Sequence, residues 1–440
     1  MQSSLKDNFC SSPWFHIRID SQGNYLPCRW SSQRTSSYNI ANTTIGEYMN
    51  SPTMNEFRLG MLNGVRSTIC EPCYYEDSKN KVSGRQRQLL KSAISLENFT
   101  KSFATSPHWS RFAHSANHQG QAQRLPTDLQ IDLGNVCNSA CVMCSPIYSS
   151  RLAGDYVKLN NINKVLFQKY PSSANWTDDN QLVDKFVNEI ADIDNLRYIH
   201  FLGGETLYLK SFYDICDRLI GLGVAKNIII GTTTNGTVYT DQLERIIREF
   251  KHVHLGISVE AFHPVNDYIR YPSSIDQVTA NVRKFLELRN QTQLHVELRI
   301  TPSILSVSKL STLFGFMLEN RLTAESCNIL YEPGCLRIEL LPDDLRQEII
   351  KEIDQLINDY GLTESADIVI NRRREDLTES VISSIIFEYR NFLATLVTPS
   401  DADHQRQNLV KFLQAFESIR NNSILTYLPN YEKFLRSYGY

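Results

Sequence analysis

Three closely spaced cysteines, Cys137, Cys141 and Cys144, constrain this 440-residue chain more than any other feature. Their spacing is C-x3-C-x2-C, and they follow the strand-like run LQIDLG at residues 129–134. Three thiolates in one short loop indicate a metal centre, because cysteine thiolates hold iron–sulfur clusters. A zinc site normally closes with four ligands, and no Cys or His follows soon after Cys144. The loop therefore favours a [4Fe–4S] cluster with one iron left open to a further ligand.

Charge and composition exclude several classes of protein. The chain has 45 basic and 48 acidic residues, a net charge of −3, which gives no footprint for nucleic-acid or membrane surfaces. Its first residues lack the charged and apolar regions of a signal peptide, and no run approaches the roughly 18 apolar residues of a spanning helix. We therefore expect a cytoplasmic protein. Clustered cysteines in such a protein favour metal or redox chemistry over disulfides.

Strand-like and helix-like runs alternate from residue 128 onward. The strand-like runs lie at 129–134, 196–203, 227–234, 252–260 and 294–301, with a sixth expected at 336–341. The helix-like runs lie at 179–193, 209–223, 240–250, 274–290 and 308–321. Thr240 followed by Asp241 is a start signal for the third of these helices. The alternation predicts a parallel sheet covered by helices, here a partial (β/α)6 TIM-like barrel, in which ligands bind at the carboxyl ends of the strands.

The chain divides into four parts on these patterns. Residues 1–85 form a small N-terminal domain with thin apolar content, and residues 86–127 form a helix and a linker. The barrel occupies residues 128–342, ending in a strand pair expected within 327–342. Residues 343–440 form a helical C-terminal region.

Short motifs at the strand ends make the chain resemble the radical S-adenosylmethionine (SAM) superfamily. The motifs are Gly203-Gly204-Glu205, Thr234-Asn235-Gly236 and Ser258-Val259-Glu260. They end the second, third and fourth strand-like runs, as the GGE, TNG and related motifs of that family do. The family commonly has Asp at the last of these positions, so Glu260 is a departure.

The resemblance implies that Cys137, Cys141 and Cys144 bind a [4Fe–4S] cluster whose open iron chelates SAM. It also implies a set of cofactor-binding residues, which are Gly203, Gly204, Glu205, Asn235, Ser258, Glu260 and Arg299. In the family the GGE turn meets the methionine amino group, and Arg299 is expected to reach the methionine carboxylate as a charged donor. One-electron reduction then cleaves SAM to a 5′-deoxyadenosyl radical, which abstracts hydrogen from a substrate.

Four further cysteines, Cys10, Cys28, Cys70 and Cys73, form the pattern C-x12-G-x4-C…C-x2-C. This pattern resembles the first half of the auxiliary iron–sulfur module called SPASM, or its shorter form called twitch, which normally follows the barrel instead of preceding it. Four thiolates can ligate a complete second [4Fe–4S] cluster, with a role in electron transfer or structure. A structural zinc site with four cysteine ligands is the alternative.

The expected activity is that of a radical SAM enzyme acting on a peptide or protein side chain, with a flavodoxin- or ferredoxin-like electron donor. A nucleotide, amino sugar or other small molecule is the alternative substrate, and a non-catalytic iron–sulfur or zinc protein is the alternative class. The absence of a basic stripe disfavours nucleic acid. We assign no chemistry to the strand histidines 200, 252, 254 and 295, and we interpret Cys216, Cys327 and Cys335 as buried thiols.

Overall fold

An eight-stranded sheet forms the centre of the protein. The computed structural model describes residues 2–31, 36–78, 82–168, 175–324, 330–364 and 379–440. The strands are β1 His16–Ile19, β2 Tyr25–Leu26, β3 Asp128–Asp132, β4 Tyr198–Leu202, β5 Ile229–Thr234, β6 His252–Ser258, β7 Leu294–Arg299 and β8 Thr323–Ala324. Their order in the sheet is β2-β1-β3-β4-β5-β6-β7-β8. Strands β1 and β2 are antiparallel. Strands β3 to β7 are the predicted parallel barrel strands, and β8 extends the parallel sheet beside β7.

Short helices surround the N-terminal hairpin of β1 and β2. They are α1 Gln2–Asn8, α2 Ser12–Phe15, α3 Ile45–Met49, α4 Pro52–Leu62, α5 Glu71–Ser78, α6 Gly84–Lys91, α7 Phe99–Ala104 and α8 Trp109–Asn117. Aromatic rings pack them together, and the ring of Phe9 lies 5.7 Å from Trp14 and 5.3 Å from Phe112. Residues 86–127 thus hold more than the single helix and linker that we expected, because Phe103 and Phe112 are buried in this aromatic cluster.

The N-terminal hairpin is part of the barrel sheet. Strand β1 pairs in parallel with β3, which places Arg18 opposite Gln130. The guanidinium of Arg18 forms a buried ion pair with Asp132, and its Nε donates to Asp132 Oδ2 over 3.0 Å. Gln130 Nε2 also donates to Asp132 Oδ1 over 3.1 Å. The first strand of the cysteine-rich domain is therefore joined to the first barrel strand by both backbone and charge.

Helices cover one face of the barrel strands. They are α9 Ser150–Ile162, α10 Asn180–Ala191, α11 Lys210–Gly221, α12 Asp241–Glu249, α13 Val265–Ile269, α14 Ile275–Arg289 and α15 Leu310–Asn320. The predicted start signal is confirmed at α12, where the Thr240 side chain accepts a hydrogen bond of 3.1 Å from the amide of Leu243. Alternate residues of the strands, such as Ile199, Leu255 and Val296, are fully or almost fully buried in the core shared with these helices.

The other face of the barrel strands is polar. Gln130, His200, His254 and His295 belong to one row of the sheet, because each is in register with its neighbour directly or across Gly231. Successive residues of a strand point to opposite faces, so this row is separated from the apolar core. The sheet thus presents hydrogen-bonding groups on the side that the helices leave uncovered.

The last barrel strand differs from the prediction. The expected strand at 336–341 forms two short 3-10 turns, Gly334–Leu336 and Ile338–Leu340, while β8 at Thr323–Ala324 pairs with β7. The extended residue Arg337 separates the turns, so Leu336, Ile338 and Leu340 are buried with the same period of two that a strand has. The expected strand pair is absent from the described residues 330–342, and Cys327 lies outside the described residues.

The C-terminal region is helical, as predicted. Its helices are α16 Asp343–Asp359, α17 Glu379–Thr395, α18 Ala402–Arg420 and α19 Glu432–Arg436. Helix α18 packs against α9 and against the turn at Gly334–Leu336, which brings the end of the chain beside the cysteine loop. Within the described ranges, no helix has the length and apolar character needed to cross a membrane.

The ion pair between β1 and β3 gives the first prediction. Replacing Arg18 (Arg18→Met) leaves the buried carboxylate of Asp132 without a cation, so the free energy of unfolding should fall by about 3–5 kcal/mol. Urea unfolding followed by circular dichroism measures this change. The double variant R18M/D132L removes both charges and should recover most of the loss. Equal losses in the single and double variants would contradict an orphaned charge as the cause.

Candidate functional site

The predicted site residues lie at the carboxyl ends of successive barrel strands. The cysteine loop follows β3, the GGE turn follows β4, the TNG turn ends β5, and the SVE motif ends β6. Because these strands are parallel and in register, their carboxyl ends meet at one edge of the sheet. The structure therefore brings the four sequence motifs together.

Backbone hydrogen bonds clamp the cysteine loop. The amide of Ala140 donates to the carbonyl of Tyr271 over 2.7 Å, and the amide of Val142 donates to the carbonyl of Ile269 over 2.9 Å. Ala140 and Val142 flank Cys141, so the middle cysteine is held against the end of α13. The protein backbone itself therefore helps to position the thiols of this loop.

Gly204 is required because the cysteine loop crosses directly above it. A Cβ atom at this position would lie 2.3 Å from the carbonyl oxygen of Val136 and 2.6 Å from that of Asn135. Backbone atoms cannot give way as a flexible side chain does, so only glycine permits this approach. Gly203 is also crowded, since its Cβ would lie 2.7 Å from Leu209 Cδ1.

The carboxylate of Glu205 joins the ends of β4 and β5. It accepts hydrogen bonds from Thr234 Oγ1 over 2.6 Å, from the amide of Asn235 over 2.6 Å and from the amide of Leu207 over 3.1 Å. Burial raises the pKa of the Glu205 carboxyl, and these donors favour its charged form. Its expected role toward the methionine amino group stays a prediction, since three protein donors already contact it.

Asn235 connects the TNG turn to the cysteine loop. Its Nδ2 donates to Asn138 Oδ1 over 2.7 Å and to Ser139 Oγ over 2.9 Å, both between Cys137 and Cys141. Its Oδ1 accepts from the amide of Thr237 over 3.0 Å. The amide group of Asn235 is thus fully engaged in holding the loop.

A buried ion pair approaches the middle cysteine. Glu260 is completely buried, and its Oε1 lies 2.5 Å from Nη2 of Arg270, while its Oε2 accepts from the amide of Thr301 over 2.9 Å. Nη1 of Arg270 lies 3.9 Å from Cys141 Sγ. Burial lowers the pKa of Arg270, but Glu260 and Cys141 outweigh it, so the pKa is above its ordinary value. A fixed cation therefore faces the Cys141 sulfur.

Ser258 and Arg299 are register partners at the ends of β6 and β7. Arg299 forms an ion pair of 2.6 Å with Glu297 and lies across Gly256, where a Cβ would come within 2.6 Å of its Nε. Both residues lie on the polar face of the sheet. Their predicted contacts with a cofactor stay predictions.

The three loop thiols are close enough to influence one another. Burial raises the pKa of Cys137 to about 12, and the charge of Cys141 acts in the same direction. Burial also raises the pKa of Cys144 to about 12, with Cys141 and Cys137 as further causes. All three cysteines are free thiols. Such thiols fit a metal centre, because iron stabilises the thiolate form that burial opposes.

The N-terminal cysteines also come together. Cys10, Cys70 and Cys73 are buried and Cys28 is half-buried, and all four are free thiols. Burial raises the pKa of Cys70 to about 12 and of Cys73 to about 12, and the charge of Cys28 raises both. Burial raises the pKa of Cys10 as well, with Cys70, Cys28 and Cys73 among its causes. The four predicted ligands therefore form one group, although residues 32–35 between them lie outside the described ranges.

The N-terminal cysteine-rich segment contacts the rest of the chain at two places. Strand β1 adjoins β3. Tyr75 follows Cys73 in α5, and its ring lies 6.2 Å from the ring of Tyr331.

Two contacts at the loop escaped the sequence analysis. Arg270 lies ten residues after Glu260, in the run NDYIRYP. Its position directly after a short helix was the one sequence feature that could have indicated a role at the loop. Arg420 of α18 donates to the carbonyl of Ala140 over 2.6 Å and pairs with Asp155 at 2.8 Å. Arg420 is 280 residues from Ala140, so no local pattern could reveal that contact.

Two family models match the chain. Residues 131–298 match the model described as the radical SAM superfamily, and residues 10–74 match SPASM, described as an iron–sulfur cluster-binding domain. The first match includes the cysteine loop, the three strand-end motifs and Arg270, and it ends one residue before Arg299. The second match includes all four N-terminal cysteines, from Cys10 to Cys73. The expected order, with SPASM before the barrel, is confirmed.

Several solved structures are similar to this one. Native anSMEcpe with bound AdoMet is 17% identical, covering 53% of this chain and 61% of that chain, with a TM-score of 0.38. Streptococcus suis SuiB bound to precursor peptide SuiA is 14% identical, covering 82% and 77%, with a TM-score of 0.36. The alignment therefore spans less than two thirds of the anSMEcpe chain. The curated proteins contain no match.

The contact above Gly204 gives the second prediction. Gly204→Ala should displace the cysteine loop, because its Cβ would meet two backbone carbonyls. Anaerobic reconstitution and iron analysis should then find about four irons per chain instead of about eight, since the N-terminal site is untouched. Gly221→Ala is the control, because a Cβ there meets nothing within 4 Å. Full iron content in the Gly204→Ala variant would contradict this role.

The cation beside Cys141 gives the third prediction. Arg270→Met should shift the reduction potential of the loop cluster to more negative values, because hydrogen bonds and charge at the sulfurs set that potential. Arg270→Lys keeps the charge and should retain most of the potential. A redox titration followed by electron paramagnetic resonance measures both. Equal shifts in the two variants would show that packing, not charge, is responsible.

Proposed function

We propose that this chain, a radical SAM enzyme with an N-terminal SPASM iron–sulfur domain, reductively cleaves SAM and abstracts hydrogen from a peptide or protein side chain. The observation that carries the proposal is the clamped loop of Cys137, Cys141 and Cys144 at the carboxyl edge of the parallel sheet. Three ligands leave one corner of a cubane cluster without a protein side chain.

The loop cysteines are proposed to hold the catalytic cluster. A [4Fe–4S] cluster held there would supply the single electron for reductive cleavage of SAM and so the radical chemistry that removes hydrogen from a substrate. Asn235 and Gly204 keep the loop against the strand ends. Arg270 donates toward Cys141 and offsets part of the negative charge of the thiolates.

The strand-end residues are proposed to bind SAM. Gly203 and Gly204 expose backbone beside the loop, which suits the methionine amino group. Ser258 and Arg299 lie side by side on the polar face, and they suit the ribose and the carboxylate. Glu205 and Glu260 act chiefly as braces, because protein donors already engage their carboxylates.

Cys10, Cys28, Cys70 and Cys73 are proposed to hold the auxiliary cluster. Four thiolates complete its ligation, so it cannot bind substrate through an open iron. A cluster held there would be suited to electron transfer with a substrate radical or to a structural role. A flavodoxin- or ferredoxin-like protein is the proposed external electron donor.

Exposed apolar side chains favour a peptide or protein substrate. Val136, Ile147 and Tyr148 of the loop segment and Tyr208 after the GGE turn are all exposed. Aromatic side chains are enriched where one protein surface binds another chain. Apolar groups around the loop can contact the side chains on either side of a reacting residue.

The fourth prediction concerns SAM cleavage. With dithionite and SAM, the reconstituted full chain should form 5′-deoxyadenosine, and Cys141→Ala should abolish it while retaining about four irons per chain. Cys216→Ala is the matched control, because that thiol is buried in α11 away from the loop. Cleavage by the Cys141→Ala variant would contradict the assignment of the loop.

Peptide, nucleotide and amino-sugar pools test the substrate class in the same assay. A peptide pool should increase 5′-deoxyadenosine, and mass spectrometry should find a product with fewer hydrogens than its parent peptide. A response to nucleotides or amino sugars alone would contradict the peptide proposal while leaving SAM cleavage intact. No cleavage with any pool would contradict the proposed chemistry itself.

A further inference from the structure

A cavity opens at the amino edge of the sheet, away from the cysteine loop. It has a volume of about 350 Å³ and is lined by residues that precede β3 and β4 and by residues of α6 and α8. In barrels of this kind the reacting ligands bind at the carboxyl ends of the strands. The cavity is therefore separate from the candidate site, and the proposed radical chemistry assigns it no role.

Four cations line this cavity, and one carboxylate faces them. The cations are Lys91, Arg111, Arg124 and Arg197, and the carboxylate is Asp128. Among the residues that the structure describes, none of the four cations has a carboxylate within ion-pair distance. Among the residues that line the cavity, the formal positive charges thus exceed the negative charge by three.

The cations are close enough to repel one another. Burial lowers the pKa of Arg111, and the charges of Arg124 and Arg197 lower it further, while the charge of Asp128 raises it. Lys91 is exposed as a whole residue, yet desolvation of its ammonium group lowers its pKa. The charge of Asp128 acts in the opposite direction and raises this pKa. Folding that gathers like charges around one space costs free energy unless a counter-charge enters it.

Two groups are positioned before any ligand arrives. Nη1 of Arg111 donates to the carbonyl of Trp14 over 3.0 Å, and its guanidinium lies 4.7 Å from the ring centre of Phe15. Asn195 also lines the cavity, and its buried Nδ2 has no hydrogen-bond partner in the described structure. A fixed guanidinium and an unsatisfied amide donor both suit an acceptor within the cavity.

We propose that this cavity binds a small phosphate-bearing anion through Lys91, Arg111, Arg124 and Arg197. Donors from four separate segments surround the space, and a phosphoryl group accepts from several directions, whereas a carboxylate presents two coplanar oxygens. The volume lies within the range of small-molecule sites, about 300–1,000 Å³. Because α6 and α8 contribute to one wall and the strand ends to another, the ligand also links the N-terminal helices to the barrel.

The fifth prediction is that the full chain binds pyrophosphate, as measured by calorimetric titration with sodium pyrophosphate at constant ionic strength. Binding should saturate at one site per chain. The double variant R124Q/R197Q should raise the dissociation constant at least about tenfold, because two charged donors are lost. The matched control K226Q/R283Q removes two exposed cations outside the cavity and should change it less than about twofold.

A second variant tests the same cavity in case the first double variant fails to fold. Asn195→Asp places a carboxylate in the same cavity and should weaken pyrophosphate binding as well, with circular dichroism to verify the fold. Adenosine monophosphate in a parallel titration separates recognition of a phosphate alone from recognition of a nucleotide. An absence of saturable binding, or equal weakening in both double variants, would overturn the proposal. SAM is absent from these titrations, so their failure is distinguishable from failure of the radical chemistry.

Discussion

The contact of Arg270 with Cys141 and Glu260 is the constraint on which the candidate site depends. Glu260 sits at the end of β6 without solvent contact, and a guanidinium in that environment requires its carboxylate. The same guanidinium reaches the sulfur of the middle loop cysteine. Strand β5 adds a second contact through Asn235, and β4 adds a third through Gly204. Three strand ends therefore determine one loop position, which is the preorganisation that a metal centre needs.

The N-terminal domain shares this rigidity because its first strand is part of the sheet. Cys10 and Cys28 lie on either side of the β1–β2 hairpin, and β1 is joined to β3 along its whole length. The loop cysteines begin five residues after β3 ends. The pairing of β1 with β3 thus connects the hairpin beside Cys10 and Cys28 to the strand that leads into the loop cysteines.

The sequence was sufficient for much of the fold and for the position of the site. Periodicity located β3 to β7 and the helices α10, α11, α12, α14 and α15, but not α9 or α13, and the spacing of Cys137, Cys141 and Cys144 identified the loop. The prediction of a strand at residues 336–341 was wrong, because two 3-10 turns on either side of the extended residue Arg337 bury alternate side chains as a strand does. That pattern carries no information on backbone hydrogen bonding.

The long-range contacts of the site were not predictable in the same way. The approach of Arg420 to Ala140 depends on the packing of α18 against α9, which local pattern does not encode. The braced state of Glu205 depends on donors from β5, 29 and 30 residues away. Motifs identified which residues belong to the site, while tertiary packing decided which of their atoms are already occupied.

The edge of the sheet at β2 has a consequence for the association of chains. Strand β2 is the outermost strand on this side and has only two residues, and Asn39 already bridges to Asn24 beside it. An edge this short offers few unpaired amides and carbonyls to a strand of another molecule. A chain that binds along this edge would therefore be held by its side chains more than by strand addition.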